Sequence, residues 1–143
     1  MKILNRKASF EYHFIQEYTA GIQLLGSEVK SLRNGNASIG EAFCYVINNE
    51  IFLKNSFISK YLESTYNNHQ EKRDRKLLLH KKEIRDISKS VRENGVTVVP
   101  IELFLKEGRY KIRIAVAKGK KLHDKRESIK SKDVKREIER FYK

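Results

Sequence analysis

The sequence predicts a mainly β fold: a small antiparallel barrel of about six strands, with two or three short flanking helices and a basic C-terminal tail. Three observations carry this expectation. Short alternating segments rich in aromatic and β-branched residues occur in pairs about turn signals, the pattern of antiparallel hairpins. A sheet this small must close or cover its edges, which favours a barrel. Residues 118–143 hold 11 basic and 5 acidic residues and too few apolar ones to build a core.

The elements follow in order. "FEYHFIQEYTAGIQLL", Phe10 to Leu25, predicts a strand, a turn at Ala20 and Gly21, and a second strand. "GSEVKSLRNG" predicts a two-turn helix with Ser27 as N-cap, Glu28 in the first turn, Val29 and Leu32 on one face and Gly35 as the stop. In "EAFCYVINNEIFLKN" two apolar runs flank Asn48 and Asn49, residues that tolerate positive φ, so a tight hairpin is expected. Residues 56–68 show no period and are expected to be irregular.

"RKLLLHKKEIRDISKSVRENG" predicts a second helix docked through Ile84, Ile87 and Val91 and ended by Gly95. "VTVVPIELFLKEGRYKIRIAVA" predicts a last hairpin about Glu107 and Gly108, with the only proline, Pro100, at an edge or bulge. There Tyr110, Ile112, Ile114 and Val116 would pack, while Arg109, Lys111 and Arg113 form a basic stripe. A partly open barrel resembling the OB fold accommodates this set over residues 1–117, with 118–143 as the tail.

At 143 residues the chain is sized for one domain. Its 31 Lys and Arg against 18 Asp and Glu give a formal charge of +13, which calls for a polyanionic partner. No stretch approaches the roughly 18–20 apolar residues of a spanning helix, and "MKILNRKASFEY" lacks the features of a signal peptide, so no membrane role and a cytoplasmic location are expected. The single cysteine, Cys44, forms no internal disulfide and sits in the apolar run "AFCYVI", where a buried thiol is expected.

His13, His69, His80 and His123 lack metal-site or catalytic-dyad spacing, and no phosphate-binding glycine loop, zinc motif or nucleophile elbow occurs. No enzyme activity, cofactor or metal is therefore expected.

Basic residues concentrate between Glu71 and Arg92, where nine Lys and Arg face four acidic residues. Solvated ion pairs would explain such a face. The triplet Leu77–Leu79, however, would pin Arg75 and Lys76 before it and His80 after it to a rigid surface, and cations held in place can read phosphate geometry. Tyr12, Tyr18, Tyr45, Tyr61, Tyr66 and Tyr110 are candidate platforms for base stacking, although strand tyrosines also serve as core or rim residues. In the tail, Val134, Ile138, Phe141 and Tyr142 would line one side of a helix. That stripe is too narrow to offset ordering costs of about 1–2 kcal/mol per residue, so disorder alone and a helix on a partner are expected.

Four blocks carry a resemblance: "AGIQLLGSEVKSLRNG", "RKLLLHKKEI", "TVVPIELF" and "AKGKKLHDKRE". In order and approximate spacing they resemble the SmpB family of SsrA-binding proteins, which partner transfer-messenger RNA in bacterial trans-translation. The resemblance runs from Asn5 to the C-terminus. It implies an OB-like barrel that grips the tRNA-like domain of transfer-messenger RNA. It also implies indirect partnership, through that RNA, with alanyl-tRNA synthetase and elongation factor Tu. On the ribosome it implies a tail that folds as a helix in the empty mRNA channel of the small subunit and so senses its vacancy.

Carried over by position, the RNA-gripping residues are Tyr12, Thr19, Arg75, Lys76, Leu78 and His80. The decoding-centre block is Lys118, Gly119, Lys120, Lys121, His123, Asp124, Lys125 and Arg126, with Phe141 and Tyr142 as an apolar pair near the tail end. Ser9 and Phe10 stand where many relatives carry Arg and His, and Thr19 where an acidic residue is common.

Overall fold

A computed structural model describes residues 2–61 and 68–120. In chain order its elements are β1 (Lys2–Leu4), α1 (Arg6–Glu11), β2 (Tyr12–Ile22), α2 (Gly26–Arg33), β3 (Ala37–Ser38), β4 (Phe43–Ile47), β5 (Glu50–Lys54), β6 (Phe57–Ile58), β7 (Arg75–Leu78), α3 (Lys81–Asn94), β8 (Thr97–Lys106) and β9 (Arg109–Gly119).

Six antiparallel strands close a ring. β8 pairs with β4, β4 with β5, β5 with β7, β7 with β2, β2 with β9, and β9 returns to β8. β1 joins β8 from outside the ring, and β3 with β6 forms a separate small ribbon. The expected mainly β barrel with flanking helices is therefore present.

Local chemistry explains the two sharp hairpins. Asn48 and Asn49 have φ of 51° and 60°, the positive values a two-residue turn between twisted strands requires, and Glu107 and Gly108 repeat the pattern at 51° and 77°. Across the first hairpin Tyr45 stacks on Phe52, its register partner, at 5.6 Å. Pro100 lies at a register shift against β9. On the other side of β8 it falls between Val98, paired with β4, and Glu102, paired with β1, where its missing N–H costs no ladder bond.

The first expected hairpin is corrected. Tyr12 to Ile22 form one strand, and Ala20 and Gly21 continue it in register with Ile112 and Lys111. Gly21 is there for closeness rather than for a turn: a Cβ at that position would lie 3.3 Å from Leu78 Cβ on β7. Ahead of β2 stands a helix the pattern did not announce. Asn5 caps it by accepting from the Ala8 N–H at 3.1 Å, and its amide nitrogen donates to the Ile39 and Pro100 carbonyls at 3.1 and 2.8 Å.

The second expected helix is also shorter than its sequence block. Arg75–Leu78 alternate in and out as a strand, and only from Lys81 does the helix run, to a left-handed Gly95 at φ 60°. In the first expected helix, Ser27 is not the N-cap: its hydroxyl lies 2.8 Å from His69 Nδ1. His69 Nε2 donates to the Ile58 carbonyl at 2.8 Å, so Nδ1 is left to accept from Ser27.

α2 follows the Arg75 end of the β7–β2 pair and contributes Leu32 to the core, while α3 follows the Leu78 end and contributes Ile84 and Ile87. Between them lie Ile51, Leu53, Leu77, Ile112 and Ile114, all essentially inaccessible. A smaller cluster of Ala8, Val99 and Ala117, with Tyr12 and Phe14 against it, fixes α1 to the outside of the barrel. Among the described residues no helix is long and apolar enough to cross a membrane.

Candidate nucleic-acid interface

Strand alternation on β7 sorts its four residues. Arg75 and Leu77 turn inward and are buried; Lys76 and Leu78 turn outward, Leu78 to 49% exposure. The outward pair forms the floor of an open groove of about 870 Å³ between the end of β2, the Asn48–Asn49 turn, the start of α3 and β9. Thr19 and Gly21 enter from β2, His80, Lys81 and Arg85 from the α3 end, and Lys111 from β9.

The groove is cationic. Lys76 Nζ lies 3.2 Å from Glu50 Oε1 in a half-exposed pair, whose net worth is small and which an incoming phosphate can displace. Among the described residues, Lys81, Arg85 and Lys111 form no ion pair. His80 is held at the helix start by its own N–H, which donates to Glu83 Oε1 at 3.1 Å, leaving the exposed imidazole to the groove. A floor of one leucine and one lysine, a positive rim and a histidine at the lip suit the phosphate and sugar edge of a folded RNA.

Four of the six residues expected to grip RNA, namely Thr19, Lys76, Leu78 and His80, thus meet in one groove. The other two do not. Arg75 is fully buried. Its Nε donates to Glu28 Oε2 at 2.6 Å, and its terminal nitrogens donate to Ser56 Oγ and to the Ser56, Arg73 and Glu71 carbonyls. The surface role expected of Arg75 is corrected for that reason: every donor is committed inside the protein.

Glu28 holds this cluster together. It is inaccessible and accepts from Leu25 N–H at 2.8 Å, Arg73 at 2.6 Å and Arg75. Burial, the largest influence, pushes its carboxyl up, but the hydrogen bonds from Arg73 and Leu25 and the charge of Arg75 prevail and hold it below the ordinary range. For Arg75 burial wins and lowers the guanidinium against the pull of Glu28. The pair differs because the carboxylate has two cations and a backbone donor, whereas the guanidinium shares one carboxylate.

Tyr12 stands at the opposite end of β2, half-buried against Ala8, Val99 and Ala117, about 30 Å from Gly21 at ~3.3 Å per residue. Lys118 and Gly119, expected in the tail, belong to β9, paired with His13 and Tyr12. The Lys120 N–H donates to the Glu11 carbonyl at 2.8 Å. Lys121, His123, Asp124, Lys125, Arg126, Phe141 and Tyr142 lie outside the described residues, as does Tyr66.

The other tyrosines do not line the groove. Tyr18 is half-buried beneath α3, where burial, with Asp86 and Glu83 adding to it, pushes its phenol up. Tyr45 donates to Asp74 at 3.0 Å, and the Lys30 ammonium sits 5.4 Å above the Tyr61 ring. The sequence reading missed Asn48, Asn49 and Lys111 as groove residues. Lys111 stood in the predicted basic stripe, and the turn that carries the asparagines was foreseen. Their meeting with β7 depends on ring closure, which no local signal reports. Among the described residues no group of three His, Cys, Asp or Glu side chains could hold a metal ion.

A family model described as SmpB protein matches residues 2–143 of this chain. The SsrA-binding protein of Phocaeicola vulgatus is 49% identical over 100% of this chain and 96% of its own length. That of Cytophaga hutchinsonii is 50% identical over 99% of this chain and 93% of its own. A solved structure described as "tmRNA-SmpB: a journey to the center of the bacterial ribosome" superposes with a TM-score of 0.72 at 37% identity, over 90% of this chain and 94% of that chain.

Proposed function

The chain belongs to the SmpB protein family, and from that premise we propose that it binds the tRNA-like domain of transfer-messenger RNA and brings it to stalled ribosomes for trans-translation. In this reading the barrel holds the RNA through the groove of Thr19, Lys76, Leu78 and His80. The tail, from residue 121 onward, enters the mRNA channel when no message fills it. Alanyl-tRNA synthetase and elongation factor Tu engage the complex through the RNA rather than through the protein.

The observation that carries the reading is the groove itself. One concavity, lined from four parts of the chain far apart in sequence, gathers several cations, an exposed leucine and an imidazole. A general single-strand binder would present exposed rings for stacking. Here every described Phe and Tyr is at least partly buried and none lines the groove, which favours a folded RNA recognised by shape and backbone.

Sequencing the RNA that copurifies with the full-length protein tests the partner. One dominant tRNA-like species is expected, and a broad mixture would sink the reading. Removing residues 121–143 tests the division of labour: affinity for the tRNA-like domain should survive while tagging of nascent chains on stalled ribosomes is lost. Normal tagging by the shortened protein would refute the role given to the tail.

A further inference from the structure

We propose that Lys120 is a positioning residue that fixes the direction in which the tail leaves the body, an inference that rests on the tail's role proposed above. β9 runs to Gly119, paired with Tyr12, and the chain does not swing free at that point. The Lys120 N–H donates to the Glu11 carbonyl at 2.8 Å, and Lys120 Nζ donates to the Ser9 carbonyl at 3.2 Å. Both carbonyls belong to the last turn of α1, where a helix leaves its C=O groups without partners, so a backbone donor and a cation suit them together.

α1 is itself bolted down. Asn5 ties its start to the Ile39 and Pro100 carbonyls, Lys7 pairs with Glu41 at 2.7 Å, and Ala8 packs on Val99 and Ala117. The root of the tail is therefore joined to a platform held by Asn5 and by packing on the barrel, the exposed Lys7–Glu41 pair adding little. A segment that leaves a rigid root in a set direction has a higher effective concentration at a distant site than one on a loose joint when that direction matches the site. The latch and the RNA groove sit at opposite ends of β2, so the strand acts as the spacer between the two sites.

The test uses full-length protein with Gly-Ser-Gly inserted between Gly119 and Lys120, beside Lys120→Met and Lys120→Arg. The insertion keeps every tail residue and all its charge but separates the root from α1. Affinity for the tRNA-like domain should stay within twofold in all three, which also reports an intact fold. Single-turnover tagging on stalled ribosomes should fall at least fivefold with the insertion and about threefold with Lys120→Met, and Lys120→Arg should restore it. Wild-type tagging by the insertion variant overturns the latch, and so does Lys120→Met impaired beside a normal insertion, the pattern of a direct cation contact. If deletion of residues 121–143 is without effect, the tail reading itself falls. If the deletion is inactive and the insertion normal, only the latch does.

Discussion

Arg75 and Lys76 are neighbours in the chain, both cationic and on one strand, yet they serve opposite regions of the molecule. The inward side of β7 belongs to a closed ion cluster with Glu28 and Arg73; the outward side belongs to the open groove with Leu78 and His80. Charge alone does not mark a nucleic-acid contact. A single step along a strand, which turns a side chain to the other face, decides whether a cation supports the fold or meets the partner.

The largest effect should come from breaking the inner region. Arg75→Ala leaves Glu28 buried with Arg73 as its one remaining cation, and loss of one partner of a buried pair costs about 3–5 kcal/mol. Urea unfolding should show this fall in stability, and a change under ~1 kcal/mol would mean that the cluster is not the keystone described. The same region should set the acid limb. A carboxyl held below its unfolded value contributes fully above about pH 4.3 and loses that contribution as pH falls through its folded pKa. Stability should therefore decline on acidification below that point, and Glu28→Gln should flatten the decline while lowering stability at neutral pH.

The outer region should respond in the opposite sense. Lys76→Ala with His80→Ala should weaken binding to the tRNA-like domain by about 1–2 kcal/mol, roughly tenfold, and make the dependence of affinity on salt shallower. Its unfolding midpoint should stay nearly unchanged. A stability loss as large as that of Arg75→Ala would erase the distinction between the two faces. The smallest effect on the fold should belong to Leu78→Ala, under about 0.5 kcal/mol because the side chain is half in solvent. If its RNA affinity is also unchanged, Leu78 is neither contact nor floor.

How much of this the sequence disclosed depends on the range of the signal. Asn48–Asn49, Glu107–Gly108 and Gly95 were legible because each answers a local backbone demand. The alternation of Ile112, Ile114 and Val116 was legible because the middle of that face of β9 is core. Gly21 misled: its reason is the nearness of Leu78, 57 residues later in the chain, and a turn is the commoner reason for a glycine after alanine. α1 escaped notice because Asn5 caps a helix of only six residues that is held by packing rather than by its own pattern. Arg75 escaped for a related cause. Its partner Glu28 lies on α2, and nothing within β7 distinguishes a buried arginine from an exposed one.

Cys44 has a practical consequence. It is the chain's single cysteine, it is buried, and burial pushes its thiol well above the ordinary range, so the native protein should resist alkylating reagents. It also pairs with Val98 where β4 meets β8, at the seam that closes the ring. The rate at which a thiol reagent consumes Cys44 is therefore a clock for the parting of that seam. A dye attached to a new cysteine elsewhere would carry a single label, reporting arrival on a ribosome with no competing background.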